Sequence, residues 1–202
     1  IVQAISGAGY FVYIYDIDNQ NWTEGSSFLP DHNNNYFEVY DIVFDVENDV
    51  LVLATWSNDI IHGEYVFYYN INSDEWNSIS SCSSGGEGYG INLTYDHHTK
   101  KVVLGKYYQT YLRFYEIDVA NGTCESLIEL YQPFGSISIP NDALLYDANR
   151  QRYIYIYRWG DTIHINEVTV EGVSTFITSY PLPNGWTNID NGSLPSAYLH
   201  KD

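Results

Sequence analysis

The sequence predicts an all-β fold, and three observations support this prediction. The 202 residues include 21 Tyr, 8 Phe and 5 Trp, and aromatic and β-branched side chains suit the pleated, half-buried surface of a sheet. No long stretch has the apolar periodicity of an amphipathic helix. Short apolar runs instead alternate with turns rich in Asn, Asp and Ser, which is typical of antiparallel strands.

A 51-residue repeat organises the chain. Three segments with alternating apolar residues end in an aromatic residue and an aspartate: IVFD at Asp45, LTYD at Asp96 and LLYD at Asp147. Successive aspartates are 51 residues apart, and one more period falls on Tyr198. Units of this length with four strands each are typical of propeller blades. We therefore predict a small β-propeller of four four-stranded antiparallel blades.

The strands follow one another in the same order within each unit. The aspartate ends the first strand, a polar turn follows, and three further strands complete the unit. The second, third and fourth strands begin at Val50, Tyr65 and Trp76, at Val102, Tyr111 and Cys124, and at Tyr153, Ile163 and Val173.

The fourth blade is expected to be split between the two ends of the chain. We predict a single domain, 1–202, in which residues 1–30 and about 194–202 form one blade. The other blades cover about 38–82, 91–132 and 141–181. Closure within the chain would remove two free sheet edges, whereas donation of the last strand to a neighbouring copy would produce fibres. Because the chain starts IVQAISG, we expect it to be a processed or excised segment.

The unit distantly resembles the kelch-type or galactose-oxidase-type β-propeller repeat. Tyr15-Asp16 with Trp22, and Tyr69-Asn70 with Trp76, match the tyrosine and tryptophan positions of that repeat. The glycine pair of the family is missing after the second strand. The resemblance implies a propeller, and the histidine pattern of a copper site is not present.

Five aromatic residues are predicted to pack between blades, because large flat side chains fill the gap between neighbouring sheets. These residues are Tyr15, Trp22, Tyr69, Trp76 and Tyr115.

The net charge of −18, from 8 Lys and Arg against 26 Asp and Glu, limits the partners. Binding to nucleic acid is not expected because it needs a basic surface. Membrane insertion is not expected because no apolar run is long enough. Other copies of the protein and extracellular glycans remain as partners.

Secretion is predicted from the cysteines and the glycosylation sequons. Cys82 and Cys124 are expected to form a disulfide or to remain as buried thiols. Four Asn-x-Ser/Thr sequons occur, and such sites are used in the secretory pathway. The candidate acceptors are Asn21, Asn121, Asn191 and, as the least favoured, Asn92, which opens an inner strand.

No catalytic residue and no metal site is predicted, so the protein is expected not to be an enzyme. The chain lacks a G-x-S-x-G elbow, and the adjacent pair His97 and His98 is interpreted as part of a surface turn. Cofactors are not expected, with Ca²⁺ as the one candidate. The acidic turns that would bind it contain Asp16, Asp18 and Asn19, then Asn70, Asn72 and Asp74, and finally Asp45, Glu47 and Asp49.

The favoured hypothesis is a non-enzymatic extracellular glycoprotein module, a structural or adhesive scaffold. In one form of this hypothesis, the scaffold assembles into filaments through end-to-end strand complementation. One alternative is a lectin-like propeller in which Trp56, Trp159 and Trp186 stack on sugar rings. Another is an enzyme with a site at the central channel.

Overall fold

A computed structural model of the chain describes residues 2–5, 9–27, 37–57, 63–79, 82, 89–108, 111–131, 143–159 and 161–181. Fifteen β-strands lie in these ranges. They are β1 (Val2–Ile5), β2 (Gly9–Asp16), β3 (Asn21–Glu24), β4 (Phe37–Asp45), β5 (Val50–Ser57), β6 (Gly63–Asn70), β7 (Glu75–Ile79), β8 (Tyr89–Asp96), β9 (Lys101–Tyr108), β10 (Tyr111–Asp118), β11 (Thr123–Tyr131), β12 (Ala143–Asp147), β13 (Arg152–Trp159), β14 (Thr162–Thr169) and β15 (Ser174–Pro181).

The strands form four antiparallel sheets, each in chain order. The first sheet contains the three strands β1 to β3, and the second, third and fourth contain β4 to β7, β8 to β11 and β12 to β15. The prediction of an all-β chain built from four-stranded antiparallel units is therefore confirmed. In the described part of the chain, no helix has the length and hydrophobicity needed to cross a bilayer.

An Asp or Asn side chain closes the turn in six of the described hairpins. The Asp45 Oδ1 atom, for example, accepts the N–H groups of Glu47 and Asn48 at 3.0 and 3.3 Å. The residue four positions after the cap has a positive φ of between 52° and 64° in six hairpins. The caps are Asp16, Asp45, Asn70, Asp96, Asp118 and Asp147. The aspartates that reveal the 51-residue period are thus turn formers, because an Asx side chain bonds the backbone of its own turn.

The second, third and fourth sheets pack face to face, and the first strand of the third sheet, β8, lies between β4 and β12. The second and third sheets share a mostly aliphatic interface, and the third and fourth share an aromatic interface. Strand β9 serves both, since Val102 and Leu104 face the second sheet and Val103 faces the fourth, as expected for alternating side chains.

Two close approaches hold these interfaces. The N–H of Leu93 on β8 donates to Asp41 Oδ2 on β4 at 2.8 Å, which joins the second sheet to the third. A Cβ at Gly105 would lie 2.9 Å from Leu144 Cδ2 and 3.2 Å from Phe114 Cε1. Glycine is therefore required at position 105 for the fourth sheet to pack this closely.

Candidate functional site

A disulfide joins the second sheet to the third. Cys82 follows β7, Cys124 lies near the start of β11, and the Cα atoms of the two residues are 5.1 Å apart. The side chain of Cys82 is buried in the aliphatic interface. The predicted disulfide is confirmed, and it links two consecutive sheets at their outer strands.

The first and second sheets are linked at the corresponding place by hydrogen bonds. The N–H of Ser26, just after β3, donates to Asp74 Oδ1 at 2.6 Å. The Trp76 Nε1–H donates to the Ser26 carbonyl at 2.7 Å. A Cβ at Gly25 would collide with the Tyr69 hydroxyl, so glycine lets this segment lie directly on Tyr69.

These two links are versions of one arrangement, which we call the junction. It consists of a cross-strand pair on one sheet and the segment that follows the last strand of the preceding sheet. Trp76 pairs with Tyr69, and Cys124 pairs with Ile117. Cys124 therefore stands at the tryptophan position, and the disulfide replaces the bond from the indole to the carbonyl.

A third pair of the same kind lies on the first sheet and is largely exposed. Tyr15 pairs with Trp22, with ring centroids 4.9 Å apart. The two side chains are 45% and 53% exposed, whereas Tyr69 is 1% exposed. Among the described residues, no segment is seen to cover Tyr15 and Trp22 as Gly25 and Ser26 cover Tyr69, and the packing of this pair between blades stays a prediction. Tyr115, on the third sheet, packs against the aliphatic interface.

The junction on the second sheet shifts the pKa values of Tyr69 and Asp74. Burial, followed by the hydrogen bond to Asp74, raises the pKa of Tyr69 to about 12. The Tyr69 hydroxyl and the Ser26 N–H hold the pKa of Asp74 below its usual range. Both groups therefore keep their ordinary charge states at neutral pH, and the carboxylate serves as an acceptor.

A buried carboxylate connects the third and fourth sheets. The Asp96 Oδ1 atom accepts the N–H groups of His98 and Thr99, and Oδ2 accepts the Tyr153 hydroxyl at 2.8 Å. Burial raises the pKa of Tyr146 and Tyr153, and the Asp96 carboxylate adds to both shifts. The geometry indicates a structural role for this carboxylate, because Asp96 is fully buried and both of its oxygens accept hydrogen bonds.

Two predicted glycan acceptors lie in exposed hairpins. Asn21 begins β3, and Asn121 lies in the turn between β10 and β11; both side chains are exposed. The Asn121 Nδ2 donates to Asp118 Oδ2 at 3.1 Å. By contrast, Asn92 on β8 is only 8% exposed, and Asn191 lies outside the described residues.

The described residues contain no group of three or more His, Cys, Asp or Glu that could hold a metal ion. His97 and His98 are exposed in the turn after β8. The carboxylates of the candidate Ca²⁺ turns, such as Asp16 and Asp45, accept hydrogen bonds from their own turns. Ca²⁺ binding therefore stays a prediction.

The lectin hypothesis depends on side chains that the structure does not describe. Trp56 and Trp159 lie in strands whose backbone is described at those positions, and Trp186 lies outside the described residues. Sequence reasoning also missed Gly25, Ser26 and Asp96 as inter-sheet contacts. When the hairpins are aligned on their capping residues, Cys124 takes the position that Trp76 has in its own hairpin. This equivalence was the signal in the sequence that could have indicated the junction.

No known protein family and no curated protein matches the chain. Solved structures do share its fold. Dipeptidyl peptidase 4 of Porphyromonas gingivalis matches with a TM-score of 0.54 and 12% identity over 83% of this chain and 30% of the peptidase. A luciferin-regenerating enzyme matches with a TM-score of 0.53 and 13% identity over 90% of this chain and 62% of that enzyme. A GH43 glycoside hydrolase matches with a TM-score of 0.51 and 11% identity over 88% of this chain and 38% of the hydrolase.

These neighbours are β-propeller proteins, so the fold of this chain is that of a β-propeller. The chain spans between 30% and 62% of the length of the three proteins. The prediction that the protein is not an enzyme is wrong, because a peptidase, a glycoside hydrolase and a luciferin-regenerating enzyme are among its structural neighbours. Propellers assemble sites from residues of separate blades, so a missing linear motif does not argue against catalysis.

Proposed function

We propose that this protein is an extracellular glycoprotein scaffold. In this proposal it is a four-bladed propeller with kelch-type repeats, glycans on its outer hairpins and faces that contact other protein copies or extracellular glycans. The observation that carries the proposal is the Cys82–Cys124 disulfide between consecutive sheets. Disulfides persist in oxidising compartments and are rare in the cytosol.

The positions of the sequons support the same environment. Asn21 and Asn121 occupy equivalent hairpins on the first and third sheets, and both side chains are exposed. An oligosaccharyltransferase needs an accessible acceptor, and both hairpins are open to solvent. The net charge of −18 favours solubility and discourages nonspecific aggregation of a protein at high concentration.

The kelch-type assignment is supported by the second sheet. Tyr69 and Trp76 form the aromatic pair that the resemblance implies, with ring centroids 5.2 Å apart. The four-blade count is supported by the regular 51-residue spacing of Asp45, Asp96 and Asp147. It also agrees with the four sheets in the described residues.

Secretory expression tests the proposal. The chain would be expressed in eukaryotic cells behind a secretory leader, and its mass measured before and after enzymatic removal of N-linked glycans. We expect glycans at Asn21 and Asn121 and no alkylation of Cys82 or Cys124 without a reductant.

The variants Asn21→Gln and Asn121→Gln should each remove one glycan, and Asn92→Gln is the matched control that should leave the mass distribution unchanged. A secreted, folded protein with neither glycan and with two reactive thiols would overturn the proposal.

A further inference from the structure

We propose that the Tyr15–Trp22 face of the first sheet binds the fourth sheet of a second copy, head to tail. This inference rests on the proposed scaffold function and names the surfaces that would join its copies. Three observations carry it: the repeated junction, the incompletely covered faces at both ends of the row of sheets, and the charge distribution along the chain.

The junction on the second and third sheets is occupied within the chain. Gly25 lies on Tyr69, the Ser26 carbonyl accepts the Trp76 indole N–H, and Cys82 is bonded to Cys124. The first sheet presents the same cross-strand pair, Tyr15 and Trp22, yet both side chains are about half exposed. The occupant that this pair accepts elsewhere in the molecule is the end of a preceding sheet.

The fourth sheet has the matching face. Ile154 and Ile156 lie on the face of the fourth sheet that points away from the third. One repeat earlier, Val103 and Gly105 are buried against the fourth sheet. Two repeats earlier, Val52 and Ala54 are buried against the third sheet.

Ile154, Ile156 and Ile163, in contrast, are only half-buried, and Tyr180 beside Ile163 on β15 is 57% exposed. Both end faces thus carry incompletely covered apolar side chains, and the fourth-sheet face also carries the Arg152–Glu167 ion pair beside Ile154. Covering these faces would add an interface of the kind already present twice in the chain.

Charge favours a head-to-tail arrangement over a symmetric one. Fifteen acidic residues and no Lys or Arg precede residue 100, whereas eleven acidic residues and all eight Lys and Arg follow from there. Two first-sheet ends would bring two strongly acidic halves together. A first-sheet end against a fourth-sheet end opposes an acidic half to a nearly neutral one, and this costs much less repulsion. The interface is heterologous, so it adds copies in one direction.

Light scattering on a size-exclusion column, over a protein concentration series, tests the inference. We expect the mean mass to rise with concentration and to rise further with added NaCl, which screens the residual repulsion. Trp22→Glu on one face and Ile163→Glu on the other should each reduce the mass to that of the monomer. Tyr180→Glu is a milder second variant of the fourth-sheet face, and Tyr131→Glu, on the outer strand of the third sheet, is the control that should assemble normally.

Mixing the Trp22→Glu and Ile163→Glu variants is the decisive measurement. Each retains one intact face, so the mixture should form dimers and nothing larger. A symmetric pairing of first-sheet faces would persist in Ile163→Glu alone and would contradict the inference.

A monomer at every concentration, destabilised by Trp22→Glu, would indicate closure within the chain and would also overturn it. Quenching of Trp22 fluorescence by oligosaccharides with no change in mass would identify a glycan as the occupant instead. A glycosylated, disulfide-bonded monomer would sink this inference and leave the proposed function standing, so the two failures are distinguishable.

Discussion

The two interfaces of the third sheet come from one repeat and yet have different chemistry. Its interface with the second sheet is filled mainly by Val, Leu and Ile side chains and is crosslinked by Cys82 and Cys124. Its interface with the fourth sheet is filled by Phe114 and a row of tyrosines from β13. A buried hydrogen bond from Tyr153 to Asp96 joins the two sheets there, with no disulfide.

Residues at equivalent positions of the repeat show how the two interfaces come to differ. Tyr153 stands one repeat after Val102, and its hydroxyl reaches Asp96 on the preceding sheet. Asp45, one repeat before Asp96, is bonded only within its own turn among the described residues. The repeat therefore determines the turn and the register of the strands. The side chains that fill an interface differ from one pair of sheets to the next, and within each interface they fit one another. Gly105 illustrates this, since it makes room for Leu144 and Phe114.

The largest effect is expected from emptying the aromatic interface. Phe114 is fully buried, 5.3 Å from Tyr153 between ring centroids. Phe114→Ala should lower the free energy of unfolding by about 4 kcal/mol, because it removes buried area and leaves a cavity. Urea unfolding followed by circular dichroism measures this.

The matched control is Leu127→Ala, on the exposed strand β11, which should cost less than about 1 kcal/mol. Equal losses for the two variants would show that the aromatic interface contributes little to folding.

A slightly smaller effect is expected at the aliphatic interface when the disulfide is removed. The two cysteines are 42 residues apart, and the double variant Cys82→Ala with Cys124→Ala should be about 3 kcal/mol less stable because the unfolded chain is no longer crosslinked.

Reductant should bring the parent protein close to the stability of the variant and leave the variant itself unchanged. Sensitivity of the variant to reductant, or insensitivity of the parent, would contradict this account.

A smaller loss of stability is expected when a single hydroxyl is removed from the aromatic interface. Tyr153→Phe leaves one oxygen of the buried Asp96 carboxylate without its donor and should cost about 2 kcal/mol. Tyr131→Phe, at an exposed tyrosine of the third sheet, is the control for loss of a hydroxyl and should be near neutral. A neutral Tyr153→Phe would mean that Asp96 does not need this bond.

The smallest effect is expected in the pH dependence of stability, as the pH rises above about 10. The pKa of Tyr146 and of Tyr153 is raised from the ordinary value of 10 by burial and by Asp96. The folded state thus holds these protons more tightly than the unfolded state. The resulting stability is fully present below pH 10 and is lost as the pH rises through the raised values.

We expect the free energy of unfolding to fall between pH 10 and about pH 12, and to fall less steeply in Tyr153→Phe than in the parent protein. The cysteine double variant should show the parental slope. Equal slopes for the parent and Tyr153→Phe would show that this tyrosine titrates normally.

Much of the fold could be predicted because it depends on local patterns. The capping aspartates, the alternation of apolar residues and the spacing of 51 residues between Asp96 and its neighbours are visible in the sequence. Each expresses short-range physics, since an Asx turn and the two-residue period of a strand need only neighbouring residues. The disulfide was also predictable, because one cysteine follows the outer strand of one unit, the other begins the outer strand of the next, and the chain contains no further cysteine.

The candidate site was harder to predict because it depends on contacts between sheets. Tyr15 with Trp22 and Tyr69 with Trp76 are the same pair in the sequence. One is covered by Gly25 and Ser26, while the other is exposed. Nothing local distinguishes them, since the difference lies in which segment arrives from the preceding sheet.

By itself the sequence determined the strands, their turns, the repeat and the acidity of the first half of the chain. Only the tertiary structure decided that Cys124 takes the place of a tryptophan at a junction, that Asp96 accepts a bond from Tyr153, and that the first and fourth sheets keep incompletely covered apolar faces. The physical reason is that hydrogen bonding in turns and strand alternation are set by residues close in the chain. Burial between sheets is set by residues about 50 positions apart, whose side chains must fit one another in volume and polarity.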